Sequence, residues 1–385
     1  MNEGLIYLDN AATSWPKPEE VYQAVDHCMR EVGANPGRSG HRLSIEASRL
    51  VFDAREALAH LLDSADPRRV IFTANATGGL NLALKGCLRP GDHVVTTSLE
   101  HNSVMRPLRT LEDRGIEVTV VPASPTGTLD LKQLDRAFRP NSRLVVVNHA
   151  SNVIGTVQPI GDIAEIAHRH RCWLLVDAAQ SLGAWPLDIQ GIDLLAFTGH
   201  KALLGPQGTG GLFLGPGMEE VLAPLIEGGT GSSSSQQRQP SFLPDKFEAG
   251  TPNTPGLAGL AAGVHFVLSE GLAKVRSHEE RLTRLLIERL KSIPGVTVYG
   301  TGDASRQVAV VSFNIAGLSP AEVGGRLDED FGILCRVGLH CSPLAHQTIG
   351  TYPVGTVRFS PGYFTSDDDI EQAADAVRYL AINKA

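Results

Sequence analysis

The sequence contains no apolar run long enough to cross a bilayer. Its opening, MNEGLIYLDNAATSWP, lacks the basic stretch followed by an apolar core that marks a secretion signal. No membrane partner is therefore expected, and the expected location is cytoplasmic. Cysteine is sparse: Cys28, Cys87, Cys172, Cys335 and Cys341 are odd in number and scattered, which argues against a disulfide framework and for a reducing compartment. The C-x-x-C spacing of structural zinc sites is missing. Cys335, His340, Cys341 and His346 come nearest to a ligand set, and no metal is expected there. Positive charge is not in excess either, since 34 Lys and Arg face 42 Asp and Glu for a formal net charge of -8. That balance leaves no basic stripe, so no nucleic acid is expected as a partner.

What is present is an ordinary globular composition, with 385 residues and 42% hydrophobic content, enough for two or three domains with a sizeable core. Between about residues 65 and 215, β-branched or apolar runs (RVIFT, HVVTT, EVTVV, RLVVVN, WLLVD, DLLAFT) alternate with helical patterns. Such alternation predicts an α/β domain with a mostly parallel sheet of the seven-stranded type, covered on both faces. We assign it to residues 15–255, ending in the Gly-, Ser-, Gln- and Pro-rich stretch 228–256, which reads as a long loop. Residues 1–14 and 256–385 are assigned to a smaller α+β domain, with helices expected from Ser319 to about Phe331 and from Ser366.

Ligands of parallel sheets sit beyond the carboxyl ends of the strands, so the residues after each run are the first candidates. Thr77, Gly78 and Gly79 open a helix after RVIFT, where bare amides and a hydroxyl suit a phosphate, although a simple helix cap explains them equally. The G-x-G-x-x-G of dinucleotide sites is missing from this turn. His101 follows the next strand and Asn152 follows RLVVVN. Asp177 ends the buried run WLLVD, where a carboxylate needs a cation; a protonated pyridine nitrogen would serve, and so would an Arg, a Lys or a helix cap. Lys201 stands in an almost uncharged setting, DLLAFTGHKALLG, and desolvation there favours the free amine that condenses with a carbonyl. Together these point to pyridoxal 5′-phosphate (PLP) carried on Lys201.

The ordered set LDNAAT, NPGRSGH, NATGGLN, LEHNS, SNVIGT, VDAAQS, TGHK, FEAGTPNT, RVGLHCS and VRFSPGYFTSDDDI resembles the class V aminotransferases of fold type I, and within them the cysteine desulfurases. The resemblance covers nearly the whole chain. It implies that Lys201 forms the Schiff base, Asp177 pairs with the pyridine nitrogen and His101 stacks on the ring. Gln180 would reach the ring hydroxyl, while Thr77, Gly78, Thr198 and His200 would hold the phosphate. Asn152 and Arg358 would grip the substrate carboxylate, a task that suits an Arg fork. A homodimer is implied as well, with Thr251 reaching the neighbouring subunit's phosphate.

Cys341 lies in CRVGLHCSPLAH beside Arg336 and His340, and cationic neighbours favour thiolate. The resemblance makes it the persulfide carrier, with L-cysteine as substrate, L-alanine as product, and sulfur passed to an acceptor protein for a pathway such as iron–sulfur cluster assembly. Cys335 is the better candidate for an incidental buried thiol. Leu339 stands where many relatives have a second histidine, and Ser342 where they commonly have alanine. Alternative readings are a selenocysteine lyase, a cysteine sulfinate desulfinase or an aminotransferase of the same family, and a non-catalytic scaffold.

Overall fold

The computed structural model describes residues 4–37, 39–233 and 235–383; Arg38 of the NPGRSGH motif and Ser234 of the serine run lie outside the described residues. The chain starts with strand β1 (Ile6–Tyr7) and helices α1 (Glu19–His27) and α2 (Arg42–Leu61). Alternating runs then form β2 (Val70–Thr73), α3 (Ala76–Cys87), β3 (His93–Thr97), α4 (Asn102–Glu112), β4 (Glu117–Val121), α5 (Leu131–Arg136), β5 (Ser142–Asn148), α6 (Ile160–Arg169), β6 (Trp173–Asp177), β7 (Leu194–Thr198), β8 (Gly210–Leu214) and α7 (Met218–Val221). Strands β2 to β8 make one seven-stranded sheet in the order β2-β8-β7-β6-β5-β3-β4. All run parallel except β8, which is antiparallel to both its neighbours.

Two apolar layers flank this sheet, because the central strands are buried on both faces and carry Leu, Val, Ile and Phe almost without interruption. Gly79 shows how closely the helices press on it: a Cβ there would lie 2.6 Å from the Gly211 carbonyl oxygen. Any side chain at that position would push the start of α3 off β8.

Beyond the long loop come α8 (Thr254–Glu270), α9 (Leu272–Lys291), β9 (Val296–Tyr299), β10 (Val311–Ile315), α10 (Pro320–Phe331), β11 (Ile333–Leu334), β12 (Arg336–Gly338), α11 (Pro343–Thr348), β13 (Thr356–Phe359) and α12 (Asp367–Ile382). An antiparallel sheet in the order β12-β13-β10-β9 packs with α9, α10 and α12 around a third core, to which Ile6 and Leu8 also belong. Strand β1 pairs in parallel with β11, which ties the first residues of the chain to this unit.

One expectation needs correction. Helix α8 was placed with the small domain, whose boundary was set at residue 256, yet Leu257, Leu260, Ala261 and Val264 lie in the core beneath the large sheet. Its apolar residues occupy nearly the whole helix circumference, so it is buried between α1, α2 and the sheet, and the chain leaves the large unit only at Gly271.

Candidate active site

The carboxyl ends of β2, β3, β5, β6 and β7 all open into one cavity of about 280 Å³. Of the residues expected at a site, Thr77, His101 and Asn152 line it from the first three strand ends. Asp177, Gln180, Thr198, His200 and Lys201 line it from the last two, and Arg358 enters from the small sheet. Gly78 and Thr251 do not; they line a second cavity of about 590 Å³ together with Phe72, Leu225 and Ile226. The Gly78 amide is also engaged, because the Asn75 side chain accepts from it at 2.9 Å and caps α3. The cap expected of Thr77 is therefore Asn75, and at this turn Asn75, Ala76 and Thr77 face the cavity instead of Gly78.

Lys201 follows β7 through a turn in which Gly205 N–H bonds the Gly199 carbonyl at 2.8 Å. Gly199 is required there, since a Cβ would collide with the Thr209 hydroxyl. Burial pushes Lys201 down to about 8, against the opposing pull of Asp177. Asp177 is 6% exposed and pairs in register with Asn148 across β5 and β6. Its carboxylate accepts from Ala179 N–H at 3.0 Å and has no ion-pair partner among the described residues, so burial raises its pKa. A buried carboxylate without a cation, facing an amine that gives up its proton easily, suits a flat cationic heteroaromatic ring with an aldehyde. His200 Nδ1 and Arg358 Nε are buried without a hydrogen-bond partner, two unmet groups suited to a ligand with anionic ends. The donor set thus fits PLP.

His101 accepts from Ser103 N–H through Nδ1 at 3.1 Å, which assigns its proton to Nε2. The Ser103 hydroxyl also lies 2.7 Å from Nδ1 and 2.8 Å from the Thr77 hydroxyl, linking two strand ends. Burial, then Lys201 and Arg336, hold His101 down at about 4, so it is neutral at physiological pH. Gln180 Nε2 donates to the Ala11 carbonyl at 3.0 Å, which lays the N-terminal segment across the cavity.

Arg358 is completely buried, ion-paired with Asp9 at 2.8 Å and bonded to the Asn152 carbonyl at 3.0 Å. The Asn152 side chain holds the cysteine-bearing loop: Nδ2 donates to the His340 carbonyl at 2.7 Å, and Oδ1 accepts from the Ser342 hydroxyl at 2.8 Å. Cys341 itself is exposed and is not among the residues lining the cavity, although its neighbours Arg336 and His340 are, and Arg336 Nη2 lies 3.4 Å from its sulfur. Both His340 (φ 47°) and Cys341 (φ 60°) adopt the left-handed region, at a cost of roughly 1–2 kcal/mol each. Cys335 is half-buried against the small core, and burial pushes it up to about 12. Among the described residues, no three or more His, Cys, Asp or Glu side chains gather as metal ligands.

Sequence reasoning passed over Asp9, Glu100, Ser103 and Asn148. Asp9 lies inside the LDNAAT motif and Glu100 inside LEHNS, so motif membership was the available signal, but nothing local shows that Asp9 meets a residue at position 358.

The sequence matches the Aminotransferase class-V family over residues 6–373. It is 36% identical to a probable cysteine desulfurase of Methanothermobacter thermautotrophicus, over 98% of this chain and 94% of that protein. The apo structure of a cysteine desulfurase from Thermococcus onnurineus superposes with a TM-score of 0.92 at 32% identity, covering 98% of this chain and 95% of the other. An Escherichia coli cysteine desulfurase, solved in an S-sulfonic acid form, gives a TM-score of 0.88 at 27% identity, covering 100% and 96%. The motifs, the sheet and the lysine-bearing cavity agree with these likenesses, and the chain belongs to the class V aminotransferase family, in the branch of the cysteine desulfurases.

Proposed function

We propose that this protein is a PLP-dependent cysteine desulfurase that converts L-cysteine to L-alanine and receives the sulfur on Cys341. The observation that carries this reading is an exposed cysteine 3.4 Å from Arg336, which lines the cavity that holds a desolvated lysine and a buried aspartate without an ion-pair partner among the described residues. When bound, PLP supplies an aldehyde for the amine and an electron-withdrawing ring for the substrate's α-carbon. Lys201 would carry it, Asp177 would face its ring nitrogen, and Thr77, Thr198 and His200 would hold its phosphate. Gln180 would face the ring hydroxyl through the oxygen of its pinned amide.

The remaining steps belong to side chains. Arg358, fixed by Asp9, presents its unpartnered Nε–H to the substrate carboxylate. Lys201 takes the α-proton, a role suited to an amine held near 8. His101, neutral and protonated on Nε2, lies over the site and relays protons. The Cys341 sulfur attacks the substrate sulfur; the S–S bond forms as the carbon–sulfur bond breaks, the electron pair stays with the β-carbon, which takes up a proton, and return of a proton from Lys201 to the α-carbon completes alanine. A second thiol, on a small molecule or an acceptor protein, then removes the outer sulfur, as supply to a process such as iron–sulfur cluster assembly requires.

A homodimer belongs to this reading. Thr251 is exposed and lies away from its own chain's cavity, beside exposed Leu225 and Ile226, a position suited to serving a neighbouring site. No single helix among the described residues is long and apolar enough to cross a membrane, and we place the enzyme in the cytoplasm. Incubation with L-cysteine and intact mass measurement tests the reading: a gain of one sulfur mapped to Cys341 is expected, and Cys341→Ser should lose it together with alanine formation. Undiminished alanine and sulfide from Cys341→Ser would reject the persulfide route.

A further inference from the structure

Asn152 was expected to grip the substrate, yet both polar atoms of its side chain are spent on the cysteine loop. Nδ2 reaches the His340 carbonyl at 2.7 Å and Oδ1 receives the Ser342 hydroxyl at 2.8 Å. These two bonds bracket Cys341 on either side. The loop has further anchors: Asn102 N–H donates to the Cys341 carbonyl at 2.9 Å, and Ser342 N–H donates to the Leu339 carbonyl at 2.8 Å.

The His340 side chain is fixed by a chain of donors whose direction is forced. Ser312 donates to the Val153 carbonyl, Thr356 donates to Ser312, and Thr356 therefore accepts from His340 Nε2–H at 3.0 Å. Ser342 is completely buried and Asn152 is 7% exposed, whereas Cys341 between them is exposed. Two consecutive residues without the freedom of glycine, His340 and Cys341, are thereby kept in the left-handed region. Such a conformation persists only where its surroundings over-determine it. Removing the Ser342 hydroxyl would leave Asn152 Oδ1 buried and unpaired, while the neighbouring strain favours departure from the present geometry.

We propose that Ser342 is a positioning residue for sulfur transfer: through Asn152 it fixes the strained loop so that the Cys341 sulfur is held next to Arg336 and His340, which line the cavity, for reaction with the substrate's sulfur. This rests on the desulfurase reading given above. Because the Asn152 carbonyl also binds Arg358, one asparagine spans the place of the substrate carboxylate and the place of the receiving sulfur. Their separation is then set by a single side chain instead of by the loop's own stiffness. Ser342 has no part in binding the cofactor or the substrate, so its loss should be felt in transfer and not in substrate affinity.

The test uses the intact holoenzyme and Ser342→Ala, a smaller residue that fits the same space. Hydrogen exchange at the Asn102 and Ser342 amides, which report the loop directly, should quicken by roughly ten-fold or more. The kcat for alanine formation from L-cysteine should fall by at least roughly ten-fold with KM unchanged, as expected when a reacting atom is misplaced. A melting curve close to wild type would show that the fold is intact. Slower turnover without faster exchange would overturn the proposal, and so would faster exchange with unchanged turnover, or equal losses in kcat and in substrate binding. If the wild-type enzyme makes no alanine from L-cysteine, the desulfurase reading fails and the positioning role falls with it, while exchange still shows whether Ser342 holds the loop.

Discussion

Arg336 and Arg358 stand directly opposite each other on the antiparallel strands β12 and β13, and both line the same cavity. Like charges facing one another across a strand pair destabilise it. The two are handled differently: Arg358 is buried and ion-paired with Asp9, whereas the side-chain hydrogen bond of Arg336 goes to the Cys341 sulfur. One arginine is thus neutralised and held still, and the other is left free to donate to the Cys341 sulfur.

Asp9→Asn is expected to destabilise the protein strongly. The substitution removes the charge that compensates a guanidinium with 1% side-chain exposure, and an uncompensated buried charge costs about 3 kcal/mol. Thermal or urea unfolding would show the loss. A variant as stable as wild type would mean that Arg358 finds its compensation elsewhere.

Ser103→Ala should lower kcat/KM for alanine formation by about five-fold, equivalent to roughly 1 kcal/mol for one hydrogen bond. The loss is modest because the Ser103 backbone N–H still bonds Nδ1 of His101 and preserves the tautomer after the hydroxyl's own bonds to that nitrogen and to Thr77 are gone. Steady-state kinetics at fixed pH would decide, and a loss of a thousand-fold would show that the hydroxyl itself moves a proton.

Lys201 should lose its proton far below an ordinary lysine. Burial holds it at about 8, so in apoprotein its acylation by acetic anhydride should rise with pH through about 8 and then level off, while exposed lysines continue to gain reactivity up to about 10.5. Lys17, also pushed to about 8 by burial, should follow the same curve. Peptide mapping separates the two, and a Lys201 curve that coincides with those of surface lysines would remove the desolvated amine from the mechanism.

The large sheet was legible because its strands are buried on both faces and announce themselves as short apolar runs, and because polar residues at their ends have no structural reason to gather. Lys201, Asp177 and His101 were singled out that way, and all three line one cavity. Helix α8 was misassigned because its apolar residues leave no amphipathic stripe to show which core it joins. Asn152 does line the cavity, but its partners were not visible in the sequence, since His340 and Ser342 lie nearly two hundred residues away and their approach depends on docking of the two sheets. Asp9 was missed for the same reason: a carboxylate eight positions into the chain shows nothing of the arginine it neutralises.

Glu100 leads to the last prediction. Its carboxyl is completely enclosed behind the cavity, where Oε1 accepts from the Thr97 hydroxyl at 2.6 Å and from Asn148 N–H at 3.1 Å, while Oε2 is buried without a partner. Burial, reinforced by the Asp177 charge, raises it to about 8, so at pH 7 it keeps its proton. The folded protein then binds a proton that the unfolded chain releases above about 4.5. Stability from this group is therefore present in full below that pH and declines as pH rises from about 4.5 to about 8. Glu279, raised to about 8 by burial, adds a decline of the same sign in the same window. Glu100→Gln preserves the shape and the acceptor oxygen while removing the titration. Relative to wild type, this variant should gain stability on going from pH 5 to pH 9 by about 4 kcal/mol, roughly three pK units, read as a difference between denaturant midpoints at the two pH values. Parallel pH profiles for the two proteins would show that Glu100 is ionised throughout, and Asp177 would then face a second buried negative charge.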